Sequence, residues 1–319
     1  MAVAGYGQIA ALHTQRLAGD GHRLEWLIGR VPERTAAFAR EYGYARHTTA
    51  LHEALADPRL DAVVLGTPNG VHAAQAAACL EAGKHVLVEI PLAMSYAEGR
   101  RLAEMARRTG LTLMVAHTHR FHGAMRWVRE RVVSGELSFE NIVARYLLLR
   151  RENVGSSGYV RSWTDSLLWH HGQHAADMVL WLLGVDEPDR VQVAAMVAEP
   201  DPKLGVPLDL SILLRTRRDQ LGTVAMSYNS DLGATYDFAL MGRGETLFIE
   251  NRVLRNRDGV LYEPGNQDSG LLQDREFIAA IREGRPSAVD ADAVLPAMEL
   301  LQRVEDSTGV QTGRGGQTP

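Results

Sequence analysis

The run Gly5-Tyr6-Gly7-Gln8-Ile9-Ala10 follows a stub of apolar strand, Ala2-Val3-Ala4, and opens a helix expected to reach about Ala18. Glycines at these places let the backbone turn tightly and approach a pyrophosphate. Ala10 permits close packing of helix on strand, and the helix N-terminus supplies amide donors and a favourable dipole. A second strand, Leu24 to Ile28, arrives about 20 residues on, the spacing of a dinucleotide-binding βαβ unit. It ends in Gly29-Arg30, with Arg34 a turn later, where NAD would need an acidic side chain for its ribose hydroxyls. An arginine suits a 2′-phosphate instead, so the expected cofactor is NADP, with NAD left open. The other reading of Arg30 is a solvated cap. The first strand is short for its place, and a few preceding residues are expected.

Alternation of helix and strand continues from there. Pro32 opens a helix closing near Gly43, Gly83 ends one from about Gly70, and Ser95 with Glu98 forms a capping box on a helix stopped by Gly110. The strands between them, Ala62 to Leu65, His85 to Val88 and Leu111 to Val115, are continuously apolar. Strands buried on both faces of a parallel sheet read this way, and such sheets bind ligands beyond their carboxyl ends. Those ends carry Thr67-Pro68-Asn69, Glu89-Ile90-Pro91 and His117-Thr118-His119-Arg120. Past Gly135 the pattern changes. Asn141–Arg150, Arg190–Val197, Leu208–Arg215, Gln220–Tyr228, Tyr236–Met241 and Thr246–Glu250 read as strands of a mostly antiparallel sheet, several with alternation. Leu272 to Glu283 and Ala291 to Val304 return to helix, expected to pack back on the first domain. The domains are therefore placed at residues 1–120 and 121–308, with a flexible tail over 309–319.

Composition bounds the partners. Among 319 residues the net charge is −5, which advertises neither nucleic acid nor an anionic membrane. The single cysteine, Cys79, has nothing to pair with inside the chain and reads as a packing residue. With no signal peptide and no membrane-length apolar run, a cytoplasmic location is expected.

One further stretch is too polar for an ordinary core. In Trp169-His170-His171-Gly172-Gln173-His174-Ala175-Ala176-Asp177, an α-helix would set His170, His174 and Asp177 on one face at i, i+4 and i+7. That spacing also suits a metal, but the glycine turn already supplies a redox partner, and no metal is expected. A non-catalytic NADP-binding sensor is a third reading of the same residues.

The segments Gly5 to Ala10, Gly66-Thr67-Pro68-Asn69-Gly70-Val71-His72, Gly83 to Pro91 and His170 to Asp177, taken in order, resemble the glucose–fructose oxidoreductase/inositol dehydrogenase (Gfo/Idh/MocA) family. The resemblance implies an α/β protein: an N-terminal Rossmann domain and a C-terminal α/β domain on an open, mostly antiparallel sheet. It further implies hydride exchange with a nicotinamide, and a homodimer or homotetramer formed through that sheet. Tyr6, Gln8, Ile9, Thr67, Pro68, Asn69, His72 and Glu89 would line the cofactor, with Gly5, Gly7, Arg30 and Arg34.

Two departures stand out. The family's Glu-Lys-Pro is Glu89-Ile90-Pro91 here, and the aspartate four residues before the active-site histidine is His170. These departures, with Arg150-Arg151, Arg161-Ser162-Trp163-Thr164-Asp165 and Trp169-His170-His171, resemble the branch working in protocatechuate 4,5-cleavage. That branch uses NADP to oxidise the cyclic hemiacetal of a carboxylated hydroxymuconate semialdehyde to 2-pyrone-4,6-dicarboxylate. Another carboxylated aldehyde, lactol or imine is the alternative within the family.

The chemistry agrees with that branch. A hemiacetal hydroxyl is acidic enough for neutral imidazole to deprotonate, and a lysine near an open-chain aldehyde would form a Schiff base. His174 is the first choice of base, His170 the second, and Asp177 an orienter of an imidazole. Arg161 and Arg151 match carboxylates bidentately. Trp163 and Trp169 have the flat faces to stack on an unsaturated ring or to pack in a core, and His119 and Ile90 complete the substrate side.

Overall fold

The computed structural model describes residues 1–154, 165–185 and 191–309. These fall into two compact units, one formed by residues 1–117 with 270–295, the other by the remainder.

In the first unit, β1 (Ala2–Ala4), β2 (Trp26–Ile28), β3 (Arg46–Thr48), β4 (Ala62–Leu65), β5 (His85–Val88) and β6 (Leu113–Val115) form one parallel sheet in the order β3-β2-β1-β4-β5-β6. The chain reverses direction across the sheet between β1 and β4, and ligands bind beyond the carboxyl ends at such a reversal. Every residue of β1, β4 and β6 is buried, as their unbroken apolar runs require. The helices are α1 (Gln8–Gly19), α2 (Pro32–Tyr42), α3 (Leu51–Leu55), α4 (His72–Glu81) and α5 (Tyr96–Thr109). Pro32 begins α2 and Gly43 ends it in the left-handed region, while Ser95 Oγ accepts the Glu98 amide at the head of α5. Strand β3 and helix α3 escape a sequence reading because Arg46-His47-Thr48 is a polar edge strand with one neighbour and no apolar run.

Two helices follow late in the chain, α8 (Ser269–Glu283) and α9 (Ala291–Thr308). From Gly270 onward α8 belongs to the first unit, where the Arg275 guanidinium pairs with Asp20 at 2.6 Å.

The second unit holds α6 (Gly123–Val133), α7 (Gly172–Leu183) and eight strands: β7 (Asn141–Leu147), β8 (Gln192–Val197), β9 (Asp209–Arg215), β10 (Leu221–Ser227), β11 (Thr235–Met241), β12 (Thr246–Glu250), β13 (Val253–Asn256) and β14 (Gly259–Tyr262). Their order is β14-β13-β12-β11-β7-β10-β9-β8; only β7 with β10 is parallel. Strand β9 shows why the sheet has two different faces: Leu210, Ile212 and Leu214 are buried while Leu213 between them is 56% exposed. Met196, Leu221 and Phe248 are likewise exposed. The β12–β13 hairpin turns through Asn251 and Arg252, both at positive φ, as a two-residue loop of this hand demands.

One expectation needs correction here. Leu167–His171 is a π-helical turn, and the α-helix begins only at Gly172. Because a π turn holds more residues than an α turn, His170 does not stand one α turn above His174 as a uniform helix would place it. No described helix is long and apolar enough to cross a membrane.

Candidate active site

In the first unit the sequence motif becomes a cradle. Gly5 sits at φ 113°, its amide bonded to Ile28 O at 2.8 Å, and a Cβ there would lie 2.4 Å from Gly66 O. A side chain is excluded because the β1–α1 turn must lie against the end of β4. At Gly7, which caps α1, a Cβ would meet nothing within 4 Å. No side chain caps this helix and its first turn carries no acid, so its N-terminal amides can receive an anion. Tyr6 packs beside Gly29, while Gln8, Ile9, Arg30 and Arg34 are exposed around the turn. These residues fit a dinucleotide pyrophosphate.

Beyond β4, Thr67 Oγ1 donates to Gln75 at 2.6 Å, and Pro68 caps the short turn that includes Asn69. His72 departs from its expected role. Its ring is fully buried, with one nitrogen 2.8 Å from Pro91 O and the other 2.8 Å from Thr67 O, so it staples the loops after β4 and β5 instead of offering a face to a cofactor. Glu89, directly after β5, accepts from His13 Nε2 at 2.9 Å, and Ile90 beside it is buried. His13 Nδ1 lies 2.8 and 2.9 Å from the two oxygens of Asp274 on α8. Burial opposes a charge on His13, but the two carboxylates outweigh it and raise the imidazole to about 10. Burial likewise opposes the charge on Glu89, and His13 nevertheless holds it below the usual carboxylate range.

The second unit gathers imidazoles and phenols. The rings of His119 and His174 stack, with centroids 4.4 Å apart and planes within 9°. His119 Nδ1 is 2.9 Å from Tyr146 Oη, and His122 and Tyr236 pack against the same ring at 4.8 and 5.0 Å. Burial, helped by Arg252, lowers His122 to about 4, and burial raises both Tyr146 and Tyr236. His170 meets His171 edge to face at 4.6 Å.

Asp177, whose helical spacing leads one to expect an orienter of an imidazole, receives two hydrogen bonds from Arg120, at 2.6 and 2.8 Å. A short buried guanidinium–carboxylate fork is the stronger claim on that carboxylate. Trp169 is fully buried, and its Nε1 has no hydrogen-bond partner among the described residues; stacking on a substrate is excluded in this conformation. Arg151 is exposed and donates to Asn229 at 2.5 Å, whereas Arg150 is held by Asp165 at 2.9 Å and lies over the Tyr228 ring. Arg161 and Trp163 lie outside the described residues. No group of three or more His, Cys, Asp or Glu side chains placed to hold a metal ion occurs among the described residues.

His13, Asp274, Tyr146, His122 and Tyr236 are the members a sequence reading misses. A signal existed for His13: it shares the buried face of α1 with Ala10, Thr14 and Leu17, and a histidine there needs a partner. Its partner Asp274 stands 261 residues away.

A parallel sheet with this glycine cradle, followed by an open-sheet domain, defines a nicotinamide-dependent oxidoreductase. Comparison with known proteins identifies it further. The model described as "Oxidoreductase family, NAD-binding Rossmann fold" matches residues 1–117, and "Bacterial oxidoreductases, C-terminal" matches residues 123–254. The 4-carboxy-2-hydroxymuconate-6-semialdehyde dehydrogenase of Sphingobium sp. (strain NBRC 103272 / SYK-6) is 36% identical, covering 96% of this chain and 97% of that one. Myo-inositol 2-dehydrogenase of Thermotoga maritima is 23% identical over 91% of this chain and 90% of its own. Levoglucosan dehydrogenase, solved with NADH and L-sorbose, shares the fold at a TM-score of 0.86 and 18% identity, covering 97% and 96% of the two chains. The chain belongs to the Gfo/Idh/MocA oxidoreductase family, as an NAD(P)-dependent enzyme acting on CH–OH donors.

Proposed function

We propose that this enzyme oxidises the cyclic hemiacetal of 4-carboxy-2-hydroxymuconate-6-semialdehyde to 2-pyrone-4,6-dicarboxylate with NADP. The observation that carries the reading is the face-to-face pair His119–His174, in a chain that has Ile90 where the family has lysine. Two positive charges 4.4 Å apart would repel by roughly 4 kcal/mol at an effective dielectric of about 20. That repulsion disfavours charging both rings at once, and a neutral imidazole is a competent base for an acidic hemiacetal hydroxyl.

Held at the Gly5–Gly7 turn and the head of α1, a bound nicotinamide dinucleotide would supply the acceptor for the hydride of the hemiacetal carbon. His174 takes the hydroxyl proton as the C–O bond becomes the lactone carbonyl, while His119, tied to Tyr146, holds the ring it stacks on. Arg151, with Arg161, binds the substrate carboxylates, as the charge of a dicarboxylate requires. Exposed Arg30 and Arg34, with no acid at the end of β2, support NADP over NAD. The exposed apolar side of the second sheet supports a homodimer or homotetramer, and a single buried, unpaired cysteine supports a reducing, cytoplasmic setting.

Substrate carrying deuterium at the hemiacetal carbon tests the reaction. The label is expected in the reduced cofactor, with the lactone as product; label retained in product or released to water would sink the proposal.

A further inference from the structure

We propose that His13 is a positioning residue: doubly protonated and locked between Asp274 and Glu89, it keeps Glu89 an ionised, oriented carboxylate that favours oxidised nicotinamide and never receives the reaction's proton. The inference rests on the nicotinamide chemistry of the fold and not on the proposed substrate.

The geometry leaves little choice of protonation state. Both nitrogens of one fully buried ring lie 2.8–2.9 Å from carboxylate oxygens, Nδ1 at Asp274 and Nε2 at Glu89. A neutral imidazole has one N–H and would set a lone pair against one carboxylate; only an imidazolium donates to both. Near Glu89 lie also the amide of Ile90, 3.3 Å from Oε2, and the His72 ring, whose burial lowers its pKa and so disfavours a second cation beside His13. The cluster thus carries two negative charges and one positive, a net charge of −1 fixed in a water-poor site.

Its position gives that charge a use. The glycine cradle belongs to the β1–β3 half of the sheet, the half that receives the adenosine end of a dinucleotide, so the nicotinamide end falls to the β4–β6 half. Glu89 is the first residue beyond β5, its amide bonded to Leu65 O at the end of β4, and its side chain is 14% exposed. Oxidised nicotinamide is a cation and reduced nicotinamide is neutral, so a permanent carboxylate there discriminates between them. Asp274 lies on α8, far along the chain, so the last part of the sequence sets the charge at the cofactor edge.

The dissociation constants of oxidised and reduced cofactor, measured by titration calorimetry across pH 6 to 8.5, test this without turnover. Any ionisation of the cofactor's own phosphates cancels in their ratio. In the wild type the preference for the oxidised form should stay flat with pH, and Glu89→Gln should lower it about tenfold, the order expected for loss of one partly screened charge–charge interaction. In His13→Gln the preference should become pH-dependent, falling toward the Glu89→Gln value at low pH as Glu89 gains a proton. Carbon-13 spectra of labelled glutamate give a second readout on the unmutated protein: the resonance lost in Glu89→Gln should be that of a carboxylate throughout. An unchanged preference in Glu89→Gln, a wild-type preference that titrates, or a protonated Glu89 resonance would overturn the proposal. Variants that lose only thermal stability, with preference and pH profile intact, would reduce His13 to a structural tie. Failure to bind either cofactor form would instead overturn the nicotinamide reading itself.

Discussion

Stability should fall as pH rises above neutrality, and His13 sets the slope. The group is raised from 6.5 in the unfolded chain to about 10 in the folded one. A raised pKa contributes stability that is complete below the unfolded value and is lost as pH climbs through the folded value. Between pH 7 and 9 the native state holds a proton that the unfolded chain has released, which costs about 1.4 kcal/mol per pH unit. Over that interval the loss should be about 2–3 kcal/mol. Urea unfolding at pH 7, 8 and 9 measures it, with the double variant His13→Gln/Asp274→Asn as reference. That reference removes the titrating ring and one carboxylate while the introduced glutamine still offers Glu89 an amide donor. The wild type should lose about 2–3 kcal/mol more than the reference. Parallel curves for the two proteins would refute the assignment of a buried imidazolium.

Three further outcomes follow from the same geometry. His174→Gln should lower kcat by about 10²-fold or more with a smaller change in KM, and steady-state kinetics would locate the base elsewhere if His170→Gln did so instead. Asp177→Asn should destabilise the fold by about 3–5 kcal/mol in thermal unfolding, because it strands the Arg120 guanidinium, only 10% exposed, without its counter-charge. Ile90→Lys should slow turnover and yield a borohydride-trappable adduct with the open-chain aldehyde; full activity with no adduct would show that the isoleucine protects nothing.

The first domain is legible in the sequence because its signals are local. The glycine turn, the apolar parallel strands, Pro32, Gly43 and the Ser95 cap each act within a few residues, and each forms the element expected of it. Strands β13 and β14 are not legible, since Arg255 and Asn256 carry no apolar alternation and an edge hairpin needs little. The candidate site divides along the same line. His119, His174, Glu89 and Arg30 announce themselves by residue type at strand or helix ends. Their partners do not: Asp274 reaches His13, Tyr146 reaches His119 and Arg120 takes Asp177, all by tertiary contacts that no spacing encodes. The π turn at Leu167–His171 defeats a spacing argument in another way, because a period of 3.6 does not extend through a segment that winds more loosely.

Turnover on candidate substrates decides what this enzyme oxidises. NADPH formation should be followed with the ring-cleavage product of protocatechuate, with myo-inositol and with simple aldehydes, at equal concentrations and neutral pH. The proposal predicts rapid reduction of NADP with the dicarboxylate alone and 2-pyrone-4,6-dicarboxylate as product. No turnover on the dicarboxylate, or faster turnover on the neutral polyol, would contradict it.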